Sequence, residues 1–104
     1  MPDAAQNNGV PVRRLIREVK IVNVEGMHAR PVMKFVDEAM RYQSEITVEN
    51  LSGTGEVLDG KSPMNLMLVD APQGTVLRIT AEGKDADTAI EALARLVAAG
   101  FQSA

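Results

Sequence analysis

The chain has 104 residues, enough for one ordinary domain, and its 45% apolar and 24% charged content has globular proportions. Aromatics make up only 3%, and 11 basic against 14 acidic residues give a net charge of −3; together these argue against a nucleic-acid binder that stacks bases or neutralises phosphates. The chain has no cysteine, which excludes disulfides, thiolate metal sites and cysteine nucleophiles.

Residues 1–15 read as a flexible N-terminal tail, polar, with Pro2 and Pro11 and no sustained period. The stretch from Glu18 to Asn23 alternates and predicts a first strand, and Glu25-Gly26 supplies turn chemistry. From Pro31 to about Tyr42 the residues Val32, Phe35, Val36 and Ala39 fall at helical spacing. From Glu45 to Leu51 the pattern alternates again, with Ile46 and Val48 on one face. Ser52-Gly53 turns the chain into a short strand around Glu56 to Leu58, closed by Asp59-Gly60. Ser62-Pro63 then opens a second, shorter helix, because serine suits the N-cap and proline the first helical position. Met64, Leu66, Met67 and Leu68 make that segment apolar, Leu66 and Leu68 being expected in the core, and Pro72 and Gly74 end it. From Gly74 to Glu82 a fourth strand carries Leu77, Ile79 and Ala81 on one face, and Gly83 is a turn. Asp85 or Asp87 starts a third helix lined by Ala86, Ala89, Ile90, Leu93 and Val97, which Gly100 stops.

The order βαββαβα is that of an α+β domain, expected over residues 16–101, and its simplest packing is one mostly antiparallel sheet with all helices on one face. No apolar run approaches the roughly 20 residues that cross a bilayer. The short run Leu15-Ile16 after Arg13-Arg14 is ended by Arg17 and Glu18, so no export signal is expected there. The expected compartment is the cytoplasm, with no membrane insertion.

The one histidine, His28, lies between the Glu25-Gly26 turn and the helix start at Pro31. A helix N-terminus offers unpaired N–H groups and a positive dipole end, a seat for phosphate or another anion. Arg30 adds a forked donor suited to phosphate oxygens, and imidazole is a competent nucleophile near neutral pH. The pieces suggest phosphoryl chemistry: a ring nitrogen of His28 attacks, and the N–H groups of Ala29 and Arg30 with the Arg30 guanidinium stabilise the charge. A plain capping or surface role for His28 competes with this reading. A metal site is disfavoured because no second histidine or cysteine exists. No G-x-S-x-G elbow supports a serine hydrolase.

The segment Gly26-Met27-His28-Ala29-Arg30-Pro31 resembles the active-site signature of HPr, the histidine-containing phosphocarrier family of the bacterial sugar phosphotransferase system. Glu45-Ile46-Thr47-Val48, Gly60-Lys61-Ser62, Gln73-Gly74-Thr75 and Ala81-Glu82-Gly83 are similar to later segments of that family, so the resemblance runs over about residues 17–99. It implies an open-faced β-sandwich, a four-stranded antiparallel sheet covered on one face by three helices. It also implies a stoichiometric carrier rather than an enzyme, without cofactor or metal. Phospho-enzyme I would phosphorylate Nδ1 of His28, Arg30 would be the phosphate-side cation, and enzyme IIA domains would take the group.

Ser62 matches the serine that an ATP-dependent HPr kinase/phosphorylase modifies in many members, a role compatible with capping. Met33, Met64 and Met67 would form an adaptable docking patch, since methionine fits several partner surfaces. A monomer is expected, because two large partners must reach one small surface in turn. The chain departs from the family at Pro63, where an aliphatic residue is more frequent, at Glu25, where a small polar residue is common, and at Asp37 and Met40, where some members carry lysines. These departures keep a second reading open, a regulatory binding module of a reduced phosphorelay, controlled by Ser62 phosphorylation instead of serving sugar uptake.

Overall fold

The computed structural model describes residues 12–53 and 55–102. Among these, four strands and three helices follow the expected order: β1 (Arg13–Lys20), α1 (Ala29–Ala39), β2 (Glu45–Asn50), β3 (Val57–Asp59), α2 (Pro63–Leu66), β4 (Val76–Gly83) and α3 (Ala86–Ala98). The sheet order is β1-β4-β2-β3 and every neighbouring pair is antiparallel. The architecture is the expected open-faced β-sandwich.

The register explains why one face of the sheet is covered and the other is not. Leu15, Ala81 and Ile46 are cross-strand neighbours, as are Val19, Leu77 and Asn50, and Leu58 lies beside Val48. Cross-strand partners project to the same side of the pleat, so these residues, apart from Asn50, build one apolar surface, and the buried Asn50 amide donates to the Asp70 carbonyl at 2.7 Å. The apolar surface packs with Val32, Phe35, Val36 and Ala39 of α1, Leu66 of α2 and Ala89, Ile90, Leu93 and Val97 of α3 into one core. The opposite face is mostly polar, with Ile16 and Val57 as exposed apolar residues on it. Arg14, Glu82 and Glu45 form one row, and Glu18, Arg78 and Glu49 another. Arg78 reaches Glu18 at 3.4 Å and Glu49 at 3.6 Å.

The first strand begins earlier than its alternation predicts. Residues 1–11 of the expected tail lie outside the described residues, but Arg13 to Leu15 are paired with Gly83 to Ala81 and are not tail. The reason is tertiary: Arg13 and Arg17 project toward α3 and meet Asp87 and, at 2.8 Å, Glu91. The Arg17 hydrogen bond and charge hold the Glu91 carboxyl below its usual range. Beyond Lys20 the strand contact persists through the Ile21 amide, which donates to the Thr75 carbonyl at 2.8 Å, although β1 itself has ended.

Two other boundaries differ. The helix read from Pro31 begins at Ala29, with His28 as its N-cap, and closes at Ala39. The second helix is a single turn that ends at Leu66, well before Pro72. Leu66 is fully buried, but Leu68, expected beside it in the core, is 70% exposed. Leu68 lies two residues beyond Leu66, which at about 100° per residue is the opposite side of the helix, so the period that sends Leu66 inward sends Leu68 outward. At α3, Asp85 occupies the N-cap without capping its own helix. Its carboxylate accepts instead from the Ser44 hydroxyl at 2.5 Å and from the amides of Ser44 and Gln43 at 2.9 Å each. The Ser44 hydroxyl, followed by those amides, holds the Asp85 carboxyl below its ordinary value despite partial desolvation.

Candidate functional site

The turn before α1 is fixed by glycine. Gly26 has φ of +66°, and a Cβ there would stand 2.5 Å from the Ala71 carbonyl oxygen and 2.9 Å from Pro72 Cα. This close approach allows the Met27 amide to donate to the Ala71 carbonyl at 3.0 Å. The Asn23 side chain donates to the Gly26 carbonyl at 2.9 Å and closes the turn from the other side. Met27 is buried in the core, so the next residue, His28, is turned outward and is exposed.

His28 is in an extended conformation (φ −91°, ψ −172°), and its side chain makes no capping hydrogen bond. Its carbonyl accepts the first helical bond, from Val32 at 2.9 Å. The amides of Ala29 and Arg30 have no helical carbonyl four residues back, and Pro31 has no amide at all. The exposed imidazole therefore sits at the positive end of an 11-residue helix beside two N–H groups that the helix leaves unused.

The Arg30 guanidinium is exposed and is engaged. It donates to Glu25 Oε2 at 2.9 Å, across the turn. The Glu25 carboxyl is held below its ordinary range, first by its own backbone amide, then by hydrogen bonds from Asn23 and Arg30. Two depressions flank this pair. One, of about 290 Å³, is lined by Glu25, Arg30, Lys34 and Phe101 among others, and Lys34 Nζ donates to the Phe101 carbonyl there at 2.9 Å. The other, of about 480 Å³, is lined by Val24, Glu25, His28, Met67, Leu68 and Pro72 among others.

The sequence-predicted residues are thus brought together only in part. His28 and Met67 share the larger depression, and Arg30 lines the smaller one. Met64 and Met67 are 81% and 52% exposed, and Met33 projects from α1 to solvent, but Met33 and Met64 line neither depression. Ser62 is the N-cap of α2, accepting from the Asn65 amide at 3.1 Å, and Lys61 next to it donates to the Tyr42 carbonyl at 2.6 Å. Two features of the site are absent from the sequence reading. Glu25 is the ion-pair partner of Arg30, and Val24 and Leu68 add exposed apolar surface beside His28. Among the described residues no cluster of three or more His, Cys, Asp or Glu is arranged to hold a metal.

A family model described as "PTS HPr component phosphorylation site" matches residues 15–99. The multiphosphoryl transfer protein of Salmonella typhimurium is 41% identical over 87 residues, which are 84% of this chain and 23% of that protein. This chain therefore spans about a quarter of the length of that relative. The phosphocarrier protein HPr of Xylella fastidiosa is 40% identical over 82 residues, 79% of this chain and 89% of that protein. The crystal structure of phosphocarrier protein HPr from Bacillus anthracis superposes with a TM-score of 0.75 at 36% identity, covering 81% of this chain and 96% of that one. An open-faced sandwich with this signature at the tip of its first helix is a phosphocarrier domain. The chain belongs to the HPr family of the phosphotransferase system.

Proposed function

We propose that this chain carries a phosphoryl group on Nδ1 of His28, received from phospho-enzyme I and passed to enzyme IIA domains. The observation that carries the reading is the exposed imidazole at the N-cap of α1, next to the amides of Ala29 and Arg30. In the transfer, the Nδ1 electron pair of His28 forms a bond to phosphorus while the bond from phosphorus to the donor breaks, and that electron pair stays with the donor. The protein holds the equatorial oxygens with preorganised donors, which cost no reorganisation as charge moves onto them. Arg30 is the phosphate-side cation, and the forked guanidinium suits this role because it offers several donors at once. The carrier acts stoichiometrically, as a cytoplasmic monomer, and no helix among the described residues is long and apolar enough to cross a membrane.

Docking rests on the apolar surface beside His28. Met67 and Leu68 line its depression, and Met64 and Met33 extend the patch along α2 and α1. A second reading, regulation by an HPr kinase/phosphorylase acting on Ser62, is supported by the half-buried hydroxyl at the start of α2 and by its position in the Gly60-Lys61-Ser62 segment. The phosphate would replace the cap bond to Asn65 and place charge at the edge of the docking patch.

The test is phosphorylation by enzyme I and phosphoenolpyruvate. One acid-labile phosphoryl group is expected on the wild-type protein and none on His28→Ala. Equal labelling of the two proteins would remove His28 from the relay.

A further inference from the structure

The carboxylate of Glu25 has no part in the relay described above, yet it lies in the same depression as His28 and is bonded to the cation that the relay needs. We propose that Glu25 is a positioning residue that sets how readily His28 gives up its phosphoryl group, by competing with the phosphoryl oxygens for the guanidinium of Arg30. The inference rests on His28 being the phosphoryl acceptor.

In the unphosphorylated protein the Glu25–Arg30 bond, 2.9 Å long, spans the turn and fixes where the guanidinium stands. The backbone of the turn is held, because Gly26 is pinned against Ala71 and Pro72 and the Met27 amide is bonded to the Ala71 carbonyl, so the pair parts only by side-chain rotation. When a phosphoryl group arrives on His28, three acceptor oxygens enter a space that already holds one carboxylate. Arg30 then either leaves Glu25 or divides its donors between the two anions. In both cases the Glu25–Arg30 ion pair of the unphosphorylated state is broken or weakened once the phosphoryl group is bound. The cost falls on the phosphorylated carrier alone, so it raises the tendency to transfer the group onward. Arg78 bridges Glu18 and Glu49 on the far side of the sheet, so it does not relieve this contact.

Charge interactions between solvent-exposed groups a few ångströms apart change an equilibrium on the order of threefold to tenfold at low salt, and less as salt screens them. The experiment measures the ratio of phosphorylated to free carrier at equilibrium with enzyme I, phosphoenolpyruvate and pyruvate, by native gel electrophoresis at alkaline pH. Glu25→Gln is expected to raise that ratio by about threefold or more, and to slow onward discharge. The effect should shrink at high salt, and Glu25→Asp, which keeps the charge, should remain near wild type. In an Arg30→Ala background, Glu25→Gln should change the ratio by a clearly smaller factor, because the competition no longer exists. If wild type and Glu25→Gln take up the group at the same ratio, the role of Glu25 is overturned while that of His28 stands. If wild type takes up none, the relay itself fails and this inference with it.

Discussion

Replacing Gly26 with alanine tests the link between a backbone turn and the placement of His28. Two separate penalties follow from the structure. An alanine at φ of +66° is in the left-handed region, which costs roughly 1–2 kcal/mol. Its Cβ would also stand 2.5 Å from the Ala71 oxygen and 2.9 Å from Pro72 Cα, both backbone atoms that cannot rotate away as a side chain would. Overpacking of that kind typically adds about 1–3 kcal/mol, for a total of roughly 2–5 kcal/mol. For a domain of this size each kcal/mol lowers the melting temperature by about 4–8 °C, so a fall of at least about 8 °C is expected. The strain should open the Met27–Ala71 hydrogen bond and displace the N-cap, so the amide resonances of Met27 to Arg30 should move more than those of β4. Urea and thermal unfolding, with two-dimensional amide spectra of the folded variant, give both readouts. A variant within about 0.5 kcal/mol of the parent, the ordinary range for a neutral surface change, would refute the claim that this turn admits only glycine.

Leu66→Ala should cost about 2–5 kcal/mol in urea unfolding, whereas Leu68→Ala should fall within about 0.5 kcal/mol, since only the first is buried; equal losses would contradict the burial described for α2. Ser62→Ala should lower stability by about 0.5–2 kcal/mol through loss of the cap bond to Asn65, with Ser62→Asn retaining most of it; an unchanged unfolding midpoint for Ser62→Ala would show that the cap contributes nothing. Asp85 tests linkage. Its folded-state pKa is depressed, so its carboxylate contributes stability that is fully present above the unfolded value of about 3.9 and is lost as pH falls through the folded one. The stability difference between wild type and Asp85→Asn should therefore narrow below about pH 4, and a difference that stays constant from neutral to acid pH would show that the contacts of Ser44 and Gln43 do not depend on charge.

Most of the core was legible because it obeys two periods. Val32, Phe35, Val36 and Ala39 are buried at helical spacing, and Leu77, Ile79 and Ala81 at alternate positions, as local patterns predict. The first strand was not legible at its start. Arg13 looks like a tail residue until Asp87 is brought beside it from far along the chain, and Glu91 meets Arg17 in the same way. Leu68 is exposed because two residues along a helix reverse the face, so it cannot share the core side of Leu66. The position of His28 before a helix could be read from the turn and proline signals around it. The Glu25–Arg30 pair could not, since a spacing of five residues brings side chains together only through the particular path of the Asn23–Gly26 turn.

The row in which Arg78 stands between Glu18 and Glu49 has a consequence for assembly. A second sheet laminated onto that surface would strip hydration from three ions at once without supplying better partners, a loss that attraction between exposed charges does not recover. Stacking is thereby discouraged across that row of the side of the sheet that no helix shields.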